Sequence, residues 1–146
     1  MWFSKSKPEP EVPFFAWSKE EHAVGVTVFD QEHQRLATLM SQIHATVKEK
    51  RDRALALKLM ESLIHETRAH FDHEERVLEE AGFPDLEAHV AEHTALIEHA
   101  RVRLQLFRSG AIGALAMPNF LKAWLIPHMQ VMDRKYATCL QRHGFR

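Results

Sequence analysis

The sequence predicts an all-α fold, an up-down-up-down four-helix bundle with an extended N-terminal arm. Three observations carry that expectation. Apolar residues recur at three- and four-residue spacing through four long stretches. Short breaks marked by Gly, Pro or a run of charges separate the stretches. No stretch alternates with the two-residue period of a strand. At 146 residues the chain fits one domain, divided here into an arm over residues 1–17, expected to pack on the bundle, and the bundle itself over 18–146.

In the arm, Pro8, Pro10 and Pro13 favour extended backbone, while Phe14, Phe15 and Trp17 are too apolar for a free tail. The segment 18–27 reads as a loop bent at Gly25. Asp30 is the expected N-cap of a first helix over about residues 31–50, whose apolar stripe is Leu36, Met40, Ile43 and Val47; one step back along that stripe lies His33. The charged run Lys48, Glu49, Lys50, Arg51, Asp52 and Arg53 reads as a solvated turn, with Asp52 capping a second helix over about 53–81. Its inward side is Met60, Leu63, Thr67, His70, Glu74 and Val77. Gly82 followed by Pro84 stops that helix. Asp85 caps a third helix, about 86–109, with Leu86, His89, His93, Leu96, Ala100, Leu104 and Phe107 inward. After a break at 109–113, Pro118 suits the first turn of a fourth helix, with Leu121, Trp124, Leu125, His128 and Met132 inward. Pro127 lies inside it and predicts a kink beside His128.

Four residues along a helix turn by about 400°, so His70 and Glu74 share a face, as do His89 and His93. These polar residues interrupt apolar stripes. An ionised Glu74 in such a place costs several kcal/mol unless it is paired or bound to metal. Imidazole together with carboxylate suits zinc, iron or manganese, whereas calcium and magnesium prefer oxygen alone. His128 and Asp133 are five residues apart, about 140° on a regular helix. A local π-type turn, or a metal pair wide enough to receive both, reconciles them.

The totals exclude other classes. A formal charge of −1 and a pI near 6.8 give no electrostatic reason to expect nucleic acid or an anionic membrane surface. Cys139 is the only cysteine, so no internal disulfide forms and a reducing compartment is natural. No apolar run approaches the ~20 residues of a membrane span, and the first residues lack the apolar core of a secretory signal; a cytoplasmic protein is expected. Of the eleven histidines, His22, His44, His65, His73, His99 and His143 are expected on surface or boundary faces.

With the motifs in place, the chain resembles the hemerythrin family, in particular its single-domain bacterial form. The resemblance spans roughly Trp17 to Leu140. It rests on His33 after Asp30 and Gln31, on HFxxEE beginning at His70, on HxxxH at His89 and His93, and on WLxxH from Trp124 to His128 followed by Asp133. It implies a di-iron centre in which His89, His93 and His128 bind one iron and His33 and His70 the other. Glu74 and Asp133 would bridge the two, together with an oxo or hydroxo group. It also implies that dioxygen binds at a free position on the two-histidine iron, in a pocket bordered by Trp124 and Leu125. Pro127, just before the last histidine motif residue, departs from the family's pattern.

The implied function is reversible binding of dioxygen for storage, delivery or buffering, without catalysis. With only two carboxylates beside neutral imidazoles, taking up dioxygen shifts electrons and a proton within the site and adds no unbalanced charge to the core. Carboxylate-rich di-iron bundles are better suited to oxidative chemistry. The residues leave open an enzyme acting on peroxide or nitric oxide, an oxygen or iron sensor, and a zinc-filled bundle. They also leave open what would receive the oxygen, a membrane oxygenase or a signalling protein.

Overall fold

The computed structural model describes residues 14–50 and 52–146; most of the expected arm, with Pro8, Pro10 and Pro13, lies outside the described residues. The elements in order are α1 (Lys19–His22), α2 (Thr27–Ala45), a π-helical turn (Thr46–Lys50), α3 (Arg53–Glu80), α4 (Leu86–Arg108), α5 (Ala116–Pro127), a second π-helical stretch (His128–Asp133) and α6 (Arg134–Arg142). Helix α2 packs on α3, α3 on α4, α4 on α5, and α5 closes the ring against α2. The result is the expected up-down-up-down bundle, whose fourth helix is α5, the π stretch and α6 run together.

Two helix starts show how the expected caps fared. Asp52 caps α3 as anticipated, its Oδ1 accepting the Leu55 N–H at 3.0 Å. Asp30 does not cap α2. The helix starts at Thr27, with Val26 at the N-cap position, because Val26 and Phe29 are buried and draw the chain into the core early. The Asp30 carboxylate reaches back instead, accepting the N–H of Val24 at 2.7 Å and of Gly25 at 3.3 Å. Gly25 makes the expected bend with φ 89°. Asp30→Ala leaves both donors without a partner and is expected to cost about 1–2 kcal/mol in denaturant unfolding. A loss under about 0.3 kcal/mol would show that water replaces the carboxylate without penalty.

The supposed loop before α2 contains α1, capped by the Ser18 hydroxyl. His22, expected near the surface, is buried: its Nδ1 accepts the Ser18 N–H at 2.9 Å and its ring meets Phe15 edge-on at 4.8 Å. Phe14 stacks on His44 at 4.4 Å, and Phe14 and Phe15 lie against the bundle core. Arg53, the last residue of the run expected to be solvated, is held at the bundle instead. Arg53 lies over the Phe107 ring at 4.2 Å and donates to the Phe107 carbonyl, tying the start of α3 to the end of α4.

Apolar side chains form two separate clusters. One holds Leu36, Met40, Ile43, Met60, Leu63, Phe71, Leu96, Leu125 and Met129 among others, and the second holds Val26, Phe29, Val77, Leu78, Phe83, Tyr136 and Leu140. Along each long helix the interruption between the two falls at a histidine or an acid: His33 lies between Phe29 and Leu36, and Glu74 between Phe71 and Val77. A polar layer is thereby sealed between two apolar ones.

Candidate metal centre

That layer is the convergence of His33 on α2, His70 and Glu74 on α3, His89 and His93 on α4, and His128 and Asp133 on the second π stretch, all buried. The i, i+4 pairs face inward as their spacing dictates. The last pair depends on the π-helical stretch. Hydrogen bonds closing at i→i+5 bring His128 and Asp133 onto one face, and His128 Nε2 stands 3.0 Å from Asp133 Oδ1. Pro127, which has no N–H to give, sits at the junction where the helix widens. The widening also exchanges the expected inward Met132 for Met129, which is fully buried while Met132 is only partly so.

The ligand atoms fall into two groups: Glu74, His89, His93, His128 and Asp133, and His33, His70, Glu74 and Asp133, the atoms of each lying within 4.8 Å of one another. Each carboxylate divides its oxygens between the groups. Glu74 Oε1 is 2.5 Å from His89 Nε2 and 3.4 Å from His93 Nε2, while its Oε2 is 3.3 Å from His70 Nε2. Asp133 Oδ1 faces His128 and His89, the latter at 3.2 Å, and its Oδ2 faces His33 Nε2 at 3.3 Å. Both Asp133 oxygens are buried, yet neither is aligned for a hydrogen bond.

Outside this layer stand three further carboxylates. Glu32 accepts from His70 Nδ1 at 2.6 Å, Glu75 from His93 Nδ1 at 2.8 Å and Glu92 from His128 Nδ1 at 2.8 Å. A carboxylate can only accept, so each of these imidazoles carries a proton on Nδ1 and turns Nε2 inward. The inner atoms are thus almost all acceptors. His33 Nε2 lies 3.0 Å from His70 Nε2, and His93 Nε2 lies 3.1 Å from His128 Nε2. Facing lone pairs at that distance repel unless a cation sits between them. Two nitrogens each ~2.1 Å from one ion and at right angles to it are ~3.0 Å apart. The donor set therefore fits metal ions.

Electrostatics show what the cluster does when protons are its only cations. Burial works against a charged His70, but hydrogen bonds to Glu32 and Glu74 outweigh it and raise the imidazole to about 10. Burial likewise opposes His89, and Asp133 and Glu74 raise it to about 9. For Glu74 burial favours the neutral acid, yet His70, His89 and His93 hold it well below the usual carboxylate range. Asp133 is pushed up by burial and by Glu74, and pulled further down by His128, His33 and His89. Protons and metal compete for one set of lone pairs.

The surroundings are apolar and aromatic. Phe71 stacks on His93 at 3.7 Å with the rings 5° from parallel, and Trp124 stacks on His128 at 4.7 Å. Leu125 is buried. Of the two residues expected beside an oxygen pocket, Trp124 thus lies against the three-histidine group. Tyr136 was not anticipated: fully buried, it donates from its hydroxyl to Glu74 Oε2 at 2.9 Å. Its place three residues after Asp133, one turn further along the same face, was the available signal. The outer carboxylates were missed as well. Glu32 and Glu92 immediately precede His33 and His93 in sequence but serve histidines on the next helix, which helical spacing does not show.

A four-helix bundle with a sealed layer of buried imidazoles and carboxylates able to hold metal defines a metal-binding bundle protein. The pattern of the Hemerythrin HHE cation binding domain matches residues 24–140, and the chain belongs to the hemerythrin family. It is 30% identical over 121 residues to a bacteriohemerythrin of Stenotrophomonas maltophilia (strain R551-3), covering 82% of this chain and 78% of that one. To a bacteriohemerythrin of Methylococcus capsulatus (strain Bath) it is 26% identical over 125 residues, 85% and 95% of the two chains. The crystal structure of a wild-type hemerythrin superposes with a TM-score of 0.81 at 26% identity, covering 87% of this chain and 98% of that one. No helix among the described residues is long and apolar enough to cross a membrane.

Proposed function

We propose that the protein holds two iron ions and binds dioxygen reversibly, as an oxygen-storing, delivering or buffering protein and not as a catalyst. The observation that carries this reading is the pair of donor groups that share Glu74 and Asp133 and nothing else. His89, His93 and His128 would hold one ion, His33 and His70 the other, and the shared carboxylates would bridge them. A bound iron pair supplies the two electrons that dioxygen takes on binding and returns on release. The protein's part is to hold, orient and exclude. The end with two imidazoles offers one donor fewer, and dioxygen is assigned to that side. Tyr136 fixes the rotation of Glu74 by its hydrogen bond, and the apolar clusters on either side keep water and protons from the layer.

Cycling oxygen and argon over the reduced, iron-loaded protein is expected to give a reversible change in the optical spectrum with two irons per chain. Irreversible oxidation with turnover of an added donor would instead mark an oxidising enzyme, and one zinc with no iron, in protein made in iron-replete cells, would remove the oxygen reading. His128→Ala takes a nitrogen from the three-histidine group and breaks the five-residue pair with Asp133, so it is expected to abolish that spectrum. Two irons and an unchanged spectrum in this variant would show the ligand assignment to be wrong.

A further inference from the structure

The two donor groups are not equally supported from outside. At the three-histidine group, His93 and His128 are each held at Nδ1 by an acid on the preceding helix, Glu75 on α3 and Glu92 on α4. At the two-histidine group only His70 is so held, by Glu32 on α2, and His33 Nδ1 is buried without any hydrogen-bond partner. Glu32 is itself anchored: Oε2 accepts from His70 and Oε1 accepts from His73 Nδ1 at 2.6 Å. Its side chain is 14% exposed, against 25% for Glu75 and 44% for Glu92.

A carboxylate on Nδ1–H fixes the tautomer and the ring's orientation, and it makes the inward nitrogen a better donor. The group around His89 therefore combines more donors with two oriented imidazoles. The group around His33 has fewer donors and one oriented imidazole, His70, against two at the other end; His33 and His89, one in each group, have no carboxylate at Nδ1. From this asymmetry we infer that the site fills in a fixed order, the three-histidine end first and the two-histidine end second. We infer also that Glu32, held by His73, is the positioning residue that sets the affinity of the second step. The chain then passes through a defined one-metal state. This inference rests on the two-metal reading above.

The test is a titration of the metal-free, full-length protein with cobalt(II) under argon, followed by calorimetry and by the cobalt absorption bands, which respond to coordination. The wild type is expected to fill in two steps separated by at least about tenfold in affinity. In Glu32→Gln the amide oxygen still accepts the His70 Nδ1–H but carries no charge. The second step is expected to weaken by about 10–100-fold while the first is unchanged; the metal-free variant loses part of the stability that the Glu32 charge gives a protonated His70, and a cooperative melt shows that it still folds. Glu92→Gln is expected to weaken the first step and narrow the separation. A single two-ion step in the wild type, or equal weakening of both steps in Glu32→Gln, would overturn the order of filling and leave the two-metal reading standing. A chain that binds no cobalt removes both.

Discussion

Glu74→Ala is expected to empty both ends of the site at once, taking bound iron from the proposed two ions per chain to none. Glu74 is one of two residues common to both donor groups, and its two oxygens face different imidazoles. No neighbouring side chain takes over either role. The same change destabilises the metal-free protein, because it leaves the Tyr136 hydroxyl without its acceptor and the raised His70 and His89 without their nearest buried anion. Breaking a buried pair by removing one partner costs about 3–5 kcal/mol. Glu74→Gln separates the two effects: the amide still accepts from Tyr136 and is expected to recover part of the stability, but without the charge it does not recover the metal. Iron analysis and thermal unfolding of both metal-free variants decide the matter. Two irons retained in Glu74→Ala would exclude a bridging role.

The stabilisation that metal confers is expected to grow as the pH rises. In the metal-free protein His70 titrates at about 10 and His89 at about 9, both above the ordinary value near 6.5. Groups raised in this way contribute stability that is complete below about pH 6.5. The contribution declines as the pH climbs and is lost above the folded values. Glu74 and Asp133 are shifted the other way, so their contribution is complete above about pH 4 and is lost only in stronger acid. The interval from pH 7 to 10 therefore belongs to the histidines. Over it the Tm of the metal-free protein should fall while that of the loaded protein, in which ions have replaced those protons, holds.

Loading at pH 8 should accordingly release protons into a weakly buffered solution, detectable with an indicator dye. Below about pH 6 the competition reverses and acid strips the metal. Paired melts at pH 6, 8 and 10 provide the measurement. A metal-induced gain in Tm that stays flat or shrinks with rising pH would mean that protons and metal do not compete for these imidazoles.

Much of the fold was legible because helical periodicity is local. The stripes through Leu36, Met60 and Leu96, the stop at Gly82 and Pro84 and the cap at Asp52 each depend on residues within a few positions of one another. So does the inward direction of His70 with Glu74 and of His89 with His93. Even the conflict between His128 and Asp133 was visible, since five residues do not fit a regular helix, and the π-helical stretch resolves it. The misplaced start of α2 has a tertiary cause: Asp30 is a good cap by residue type, but burying Phe29 and Val26 in the second cluster outweighs it. The burial of His22 has a similar tertiary cause, since it depends on Phe15 and Ser18 folding back over the ring.

The sequence by itself determined which side chains look inward from each helix and that an apolar interior carries imidazoles and acids that demand a cation. Only the tertiary structure decided which atoms face one another: Glu74 and Asp133 dividing their oxygens between two groups, Tyr136 on Glu74, and Glu32, Glu75 and Glu92 each reaching to the next helix. The reason is that direction around one helix follows from its own turn angle, whereas a partner on another helix is set by the axial register and rotation of the pair. Those are fixed by packing the two apolar clusters, through contacts among residues far apart in the chain.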